Sequence, residues 1–293
     1  MFKLVGFFGG EMLILRLLLL TMLAVSLASC GTFVPSLRDW PNNLTDAQSE
    51  EMVQAIVRAV RCELRNAVTT AVNDDLASAK VNGDKPYSDF LDNWGAEVAL
   101  TLTIVEKSTV GPNGDWTPPA RGSSVFTLGG SVSLSSQATR IEKMNFFYTM
   151  RELYLRPGQT CDFDRDPTKG SLLVTSDLKI ASLLSSRITS VALGQTPAPA
   201  PGRQNVLSHE VAFQIVSTGN LNLGWTLARA NINPNGGPLF SASRDRTHDL
   251  LVTFGPLDKA QLGQSLIAIA EQSHFTSQIT SGVSNGLNSA LRQ

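Results

Sequence analysis

"GAEVALTLTIVEKS", residues 95–108, is the stretch whose reading decides the fold. Val98, Leu100, Leu102 and Ile104 alternate with Thr101 and Thr103, the period of a strand with one face buried. The pattern returns in "SHEVAFQIVSTG", residues 208–219, where Val211, Phe213 and Ile215 hold the same phase and Glu210 stands in the place of Glu97. Downstream, "ATRIEKMNFFY" at 138–148 aligns with "RDRTHDLLVTF" at 244–254, pairing Arg140 with Arg246, Met144 with Leu250, Phe146 with Val252 and Tyr148 with Phe254. Between these anchors, "VFTL" at 125–128 is matched with "GWTL" at 224–227. The bland alternative is that any two sheet segments look alike at this level.

Helical periodicity precedes each set. Over 46–72, Val53, Ile56, Val57, Val60, Leu64, Ala67, Val68 and Ala71 form one apolar stripe, and a second helix is expected near 176–191. A unit of helix and strands used twice predicts an α+β fold: two related helix-plus-antiparallel-sheet units, followed by a C-terminal helix. The expected divisions are a leader at 1–29, a tether at 30–45, a first unit at 46–155 and a connecting loop at 156–175. A second unit at 176–257 and a C-terminal helix with polar tail at 258–293 complete the chain. Asp258 with Gln261 reads as a helix cap ahead of Leu262, Leu266 and Ile269. Beyond it Ile279, Val283, Leu287 and Leu291 keep one apolar edge, available to the body or to a partner. "QTPAPAPGR", from Gln195, reads as a semi-rigid exposed connection.

Toward the N-terminus, Arg16, the apolar run Leu17 to Val25 and the small residues Ser26, Ala28 and Ser29 make a secretory leader. Glu11 fits this poorly, so Met12 is an alternative start. The last four residues, Leu27-Ala28-Ser29-Cys30, resemble the lipobox of bacterial lipoproteins. That resemblance implies cleavage before Cys30, a thioether-linked diacylglycerol on its sulfur and an acyl chain such as palmitate on its amine. Two or more chains hold stably where one binds reversibly. Gly31, rather than aspartate, at the next position favours the outer membrane. Cleavage after Ala28 by an ordinary leader peptidase, or retention of the run as a membrane helix, are the competing readings.

Lipidation would consume Cys30 and leave Cys62 and Cys161 as one pair, which an oxidising periplasm would join; two free thiols are the alternative. Cys62 lies about 180° from the apolar stripe of its helix, outside the expected core. Ala55, Ala59 and Asn66 beside it are small enough for another segment to approach, and "RPGQTCDFDRDPTKG", which carries Cys161, reads as a loop able to lie across this outer face.

Without the leader, 22 basic and 24 acidic residues remain of the 24 and 25 in the whole chain, so no basic stripe points to nucleic acid. The second unit, with its "EVAFQIV" strand, "LGWTL" and closing "SRDRTHDLLVTFGP", loosely resembles the trypsin-co-occurring domain of type 2. That family implies a small α+β module and brings no catalytic residues.

Literal catalytic patterns are incomplete. "GVSNG" at 282–286 matches G-x-S-x-G, but neither an acid nor a histidine follows it. "SDLK" at 176–179 lacks the partners of S-x-x-K enzymes, and Ser176 suits a helix cap. "DFDRD" at 162–166 begins like a calcium loop, but Pro167 and Leu173 stand where glycine and glutamate are needed. His209, His248 and His274 lack zinc spacing. No catalytic residue, metal or cofactor is therefore expected. Arg140 and Arg246 are expected at the rim of the core, gripping carbonyls at a helix end.

The reading that follows is a membrane-anchored lipoprotein of the bacterial envelope, acting as a non-catalytic protein-interaction module. Its partners would be the membrane, through the lipid, and an envelope protein contacting loops 111–121 and 231–238. A periplasmic small-ligand binder or enzyme with an unrecognised site is the alternative.

Overall fold

The computed structural model describes residues 34–36, 46–119, 126–156, 159, 161, 172–199, 205–226, 230–234 and 236–291. Helix α1, Asp46–Asn82, continues past its expected end because no breaker intervenes before Gly83. There a φ of 70° turns the chain and Asp84 N–H caps the Ala79 carbonyl at 3.0 Å. A 3-10 turn, Asp89–Asn93, leads into β1, Trp94–Val110. Then come β2, Asn113–Trp116, β3, Leu128–Ser131, and β4, Leu134–Thr149. Short helices α2, Met150–Leu153, and α3, Leu172–Thr175, precede α4, Ile180–Ala192. The second series is β5, Leu207–Leu221, β6, Trp225–Thr226, β7, Ala230–Ile232, and β8, Phe240–Pro256; α5, Ala268–Leu291, follows.

The fold is α+β. One sheet has the order β4-β1-β8-β5 and the other β3-β2-β7-β6. Hydrogen bonds from Leu257 N–H to Asn93 O and from Gly111 N–H to Leu239 O frame the antiparallel pair β1 and β8. A helix followed by a long hairpin thus occurs twice, with the returning strand beside the outgoing one in the same order each time. β1 matches β5 and β4 matches β8, as the sequence alignments expect. "VFTL" and "GWTL" do not correspond: Leu128 opens the returning strand β3, whereas Trp225 opens the outgoing strand β6.

Two compact units cut across the sequence halves. The helical unit holds 36–102, 142–214 and 247–293; the small-sheet unit holds Thr103–Ile141 and Ile215–Arg246 with 34–35 among the described residues. Strands β1, β4, β5 and β8 have residues in both.

In the helical unit the sheet is covered on both faces. Arg61 of α1 lies 5.8 Å over the Tyr148 ring, and the His209 ring bonds the Leu178 carbonyl at 2.7 Å just before α4, so α1 and α4 share one face. Val98, Leu100, Leu102, Leu250, Val252 and Phe254 are buried beneath them. The opposite face carries α5. It approaches β8 so closely that a Cβ on Gly255 would lie 2.7 Å from that of Ala270. An alanine there would collide with the helix.

Cys62 lies on the outer side of α1 as expected, but it belongs to the core rather than outside it. It is buried, as are Ala55 and Ala59, because Cys161 with Leu173 and Val174 of α3 lines the outer side of α1 around it. α4 begins at Ile180, four residues later than expected, since Ser176 instead closes α3 by donating its N–H to Leu172 O at 2.9 Å. Lys179, in the left-handed region at φ 61°, starts α4 with its N–H on Asp177 Oδ1 at 2.9 Å.

Candidate functional site

In the small-sheet unit, register separates apolar from polar side chains. Trp116 pairs with Leu128 and with Ala230, and Gly114 pairs with Gly130 and with Ile232. Directly opposed residues share a face, and so do residues two apart. One face therefore carries Trp116, Leu128, Ala230 and Ile232, with the bare backbone of Gly114 and Gly130 between them. Asn113, Asp115, Ser131 and Asn231 fall on the other face.

The apolar face is open. Trp116 is 51% exposed, Leu128 55% and Ile232 42%, with Phe126, Val132 and Leu134 exposed in the flanking chain. Scattered exposed hydrophobes are ordinary on a protein surface, but a contiguous set on one sheet face marks an interaction site. β3 is exposed along its whole length, so this edge also offers unpaired backbone groups.

A single buried side chain holds the turn behind this face. Asn233 sits at φ 56° and donates from Nδ2 to Leu223 O at 3.0 Å and to Gly237 O at 2.8 Å. Its Oδ1 accepts from Asn113 Nδ2 at 3.2 Å, and its backbone N–H bonds Asn113 O at 2.9 Å. Three chain segments are thereby fixed through one residue. Asparagine tolerates the left-handed region better than most side chains, and its amide supplies both donors and an acceptor. The segments expected as loops at 111–121 and 231–238 thus contain ordered strand, β2 and the end of β7. On β1 and β8, Glu106 accepts a charged hydrogen bond from Arg244.

The other expected sites fall as follows. Cys62 and Cys161 form a disulfide, with Cα atoms 5.5 Å apart. Cys30, the leader and the acidic run 162–166 lie outside the described residues. Arg140, half-buried on β4, donates to the Pro35 carbonyl at 3.4 Å, and Arg246 is buried within β8. They align on their strands, but Arg140 grips an N-terminal segment rather than a helix end. Ser284 of "GVSNG" is exposed in mid-helix on α5, without the strand a nucleophile elbow needs. Among the described residues there is no group of three metal-ligating side chains and no helix long and apolar enough to cross a membrane.

Sequence reasoning missed a polar layer under α5. His274 is buried with Nδ1 2.8 Å from Thr253 Oγ1 and Nε2 3.0 Å from the amide nitrogen of Gln278. Since the amide can only donate, Nε2 accepts and Nδ1 carries the proton. Burial holds the ring pKa down to about 4, so the 4.0 Å approach to Glu97 joins a carboxylate to a neutral ring. Asp249 accepts from Ser281 Oγ and, at 3.4 Å, from Asn285 Nδ2. Burial raises its pKa, and nearby Glu210 adds to the rise. Burial and Glu271 raise Glu97 likewise. Ser281, Asp249 and His274 do not form a catalytic relay, because the serine bonds the carboxylate directly and the imidazole is turned to Thr253. The only signal available was the spacing of polar residues along 274–285 opposite the apolar edge.

An open groove between α1 and α4 carries Asp74, Asp75, Asp84 and Tyr87. Asp75 turns inward and accepts the Ser88 N–H at 2.8 Å.

No family model matches the chain, and no curated protein matches it. Among solved structures, the open-gate secretin InvG (residues 176-end) of the Salmonella SPI-1 type III secretion injectisome is similar at 9% identity over 64% of this chain and 66% of that one. The TM-score is 0.17. A likeness that weak carries no argument about fold or function.

Proposed function

We propose that this protein is a lipid-anchored, non-catalytic interaction module of the bacterial envelope that engages an envelope protein through the apolar face of the β3-β2-β7-β6 sheet. The observation that carries the reading is the open row of Trp116, Leu128 and Ile232 on a sheet whose other face is polar. Asn233 fixes the turn behind that row, so its side chains are presented by ordered backbone. A tryptophan in the middle of such a surface is the residue type that dominates interface energetics. The lipobox-like Leu27-Ala28-Ser29-Cys30 supports the anchor. Tethering raises the local concentration of the binding face near other envelope proteins.

Affinity capture of the full chain from cells tests both parts. Cys30→Ala abolishes lipid labelling on this reading; unchanged labelling removes the anchor. Trp116→Asp, at an exposed position, leaves folding intact and costs about 2 kcal/mol or more of binding, roughly thirtyfold in Kd. Recovery of the same partner at the same yield from that variant contradicts the surface assignment. The alternative, a small-ligand binder, has its place in the acidic groove between α1 and α4. A cationic small molecule copurifying with the chain, in place of a protein, would favour it.

A further inference from the structure

We propose that α5 pairs antiparallel with the α5 of a second copy of this chain, its apolar ridge seated in the shallow row beside Gly282 and Gly286 of the other. α5 is docked in reverse of the usual amphipathic helix: its polar residues His274, Ser281 and Asn285 face the sheet. Outward it presents Phe275, Ile279, Val283, Leu287 and Leu291, exposed by 62, 51, 56, 59 and 85%. These five are spaced four apart, so they form one continuous ridge along the helix. Gly282 and Gly286 belong to the neighbouring four-apart row, and a Cβ built on either meets nothing within 4 Å. A ridge flanked by a shallow row is what two identical helices need to interdigitate at a crossing angle of about −50°. With the helices antiparallel and the twofold axis midway between Thr280 and Ser281, Ile279 of each lies opposite Gly282 of the other. Phe275 then lies opposite Gly286.

Area and charge favour a second copy over other occupants. The exposed ridge offers on the order of 500 Å² per chain, the lower bound of what one partner brings to a specific interface, with Phe275, Ile279 and Val283 nearest the crossing. The helix carries one formally charged residue, Glu271, so two copies meet without like-charge repulsion across the ridge. Residues 268–291 include no lysine or arginine, and the single Arg292 next to them is fewer cations than helices that lie on an anionic membrane surface carry.

The test is the association state of the full chain, purified in detergent micelles, by sedimentation equilibrium. A dimer is expected for the unmodified chain. Ile279→Asp with Val283→Asp, both exposed, should shift it to monomer, with a Tm lowered only by the lost association and no longer dependent on protein concentration. Gly286→Leu provides the sharper arm: it adds apolar surface and a better helix former, so Tm holds or rises, yet filling the row should weaken dimerisation at least tenfold. Stronger association in Gly286→Leu would show unspecific stickiness and overturn the proposal. So would a monomer at all concentrations, a dimer indifferent to both variants, or a photo-cross-linker at Leu287 that labels only lipid or a different protein.

Discussion

His274 holds two hydrogen bonds whose directions fix its protonation, and its stability effect has a definite sign. The unfolded chain protonates this histidine near 6.5, the folded chain only near 4. Folded stability is therefore intact above 6.5 and drains away as pH falls from 6.5 toward 4. Asp249 and Glu97 act oppositely. Their raised pKa values mean that the folded chain takes up protons first, so acidification relieves the cost of burying their charge. Urea midpoints measured from pH 7.5 to 4 should fall less steeply for His274→Gln than for the parent chain; parallel curves would contradict the buried neutral ring. Asp249→Asn should stabilise at neutral pH, with a gain that shrinks on acidification. The one trace of this in the sequence is the spacing of polar residues along 274–285, opposite the apolar edge. The three histidines are scattered along the sequence; His248 is buried within β8, and it is the docking of α5 on Thr253 that buries His274. The strand phases that bury Leu100 and Val252 were legible because alternation is local. The polar layer depends on which face the last helix covers.

At the scale of elements, the disulfide and the Asn233 turn are the two fastenings that the sequence discloses unequally. Pairing of Cys62 with Cys161 followed from counting cysteines once Cys30 was set aside. The approach of the Cys161 segment to Cys62 followed from the small residues around it; the further cover by Leu173 and Val174 of α3 did not, because that helix is remote in sequence. Closing a loop of about 100 residues should stabilise by roughly 4–5 kcal/mol, so replacing both cysteines with serine should lower the unfolding free energy by about that amount. An unchanged denaturation midpoint would remove the bond from the account. Asn233 reads in the sequence as one more turn residue in "NINPNGGP"; its three side-chain hydrogen bonds appear only when β2 and β7 pair. Asn233→Ala loses those bonds and forces alanine into the left-handed region, at a combined cost of about 3 kcal/mol or more. Asn233→Gly keeps the backbone geometry and should cost less. Chemical denaturation separates the two, and equal losses would mean that φ is unimportant there. The turn-rich composition of both segments led to loops being expected where short strands form, since four residues such as Asn113–Trp116 have no period of their own until a partner strand supplies one.

On the scale of the whole molecule, the chain buries apolar faces between helices and sheet in the usual way and, among the described residues, leaves two apolar surfaces open, one in each compact unit. The ridge of α5 lies beside the shallow row of Gly282 and Gly286, and the face of the small sheet carries an exposed tryptophan beside the bare backbone of Gly114 and Gly130. We propose the ridge for a second copy and the sheet face for a different protein. The α+β class and the order of the long helices and strands were legible because each rests on periodicity sustained over ten or more residues; the joining of both repeats into one sheet through β1 and β8 was not, and the last helix, expected from the Asp258 cap, begins at Ala268. Which surfaces stay open is a property of the assembled sheets. The measurement that tests the central claim most directly is in-cell photo-cross-linking of the full chain from the two faces of β3. A cross-linking residue at position 128, in place of Leu128, should capture one envelope protein in high yield, and one at position 131, in place of Ser131 on the polar face, should not. Equal capture from both positions, or none from position 128, would contradict the account.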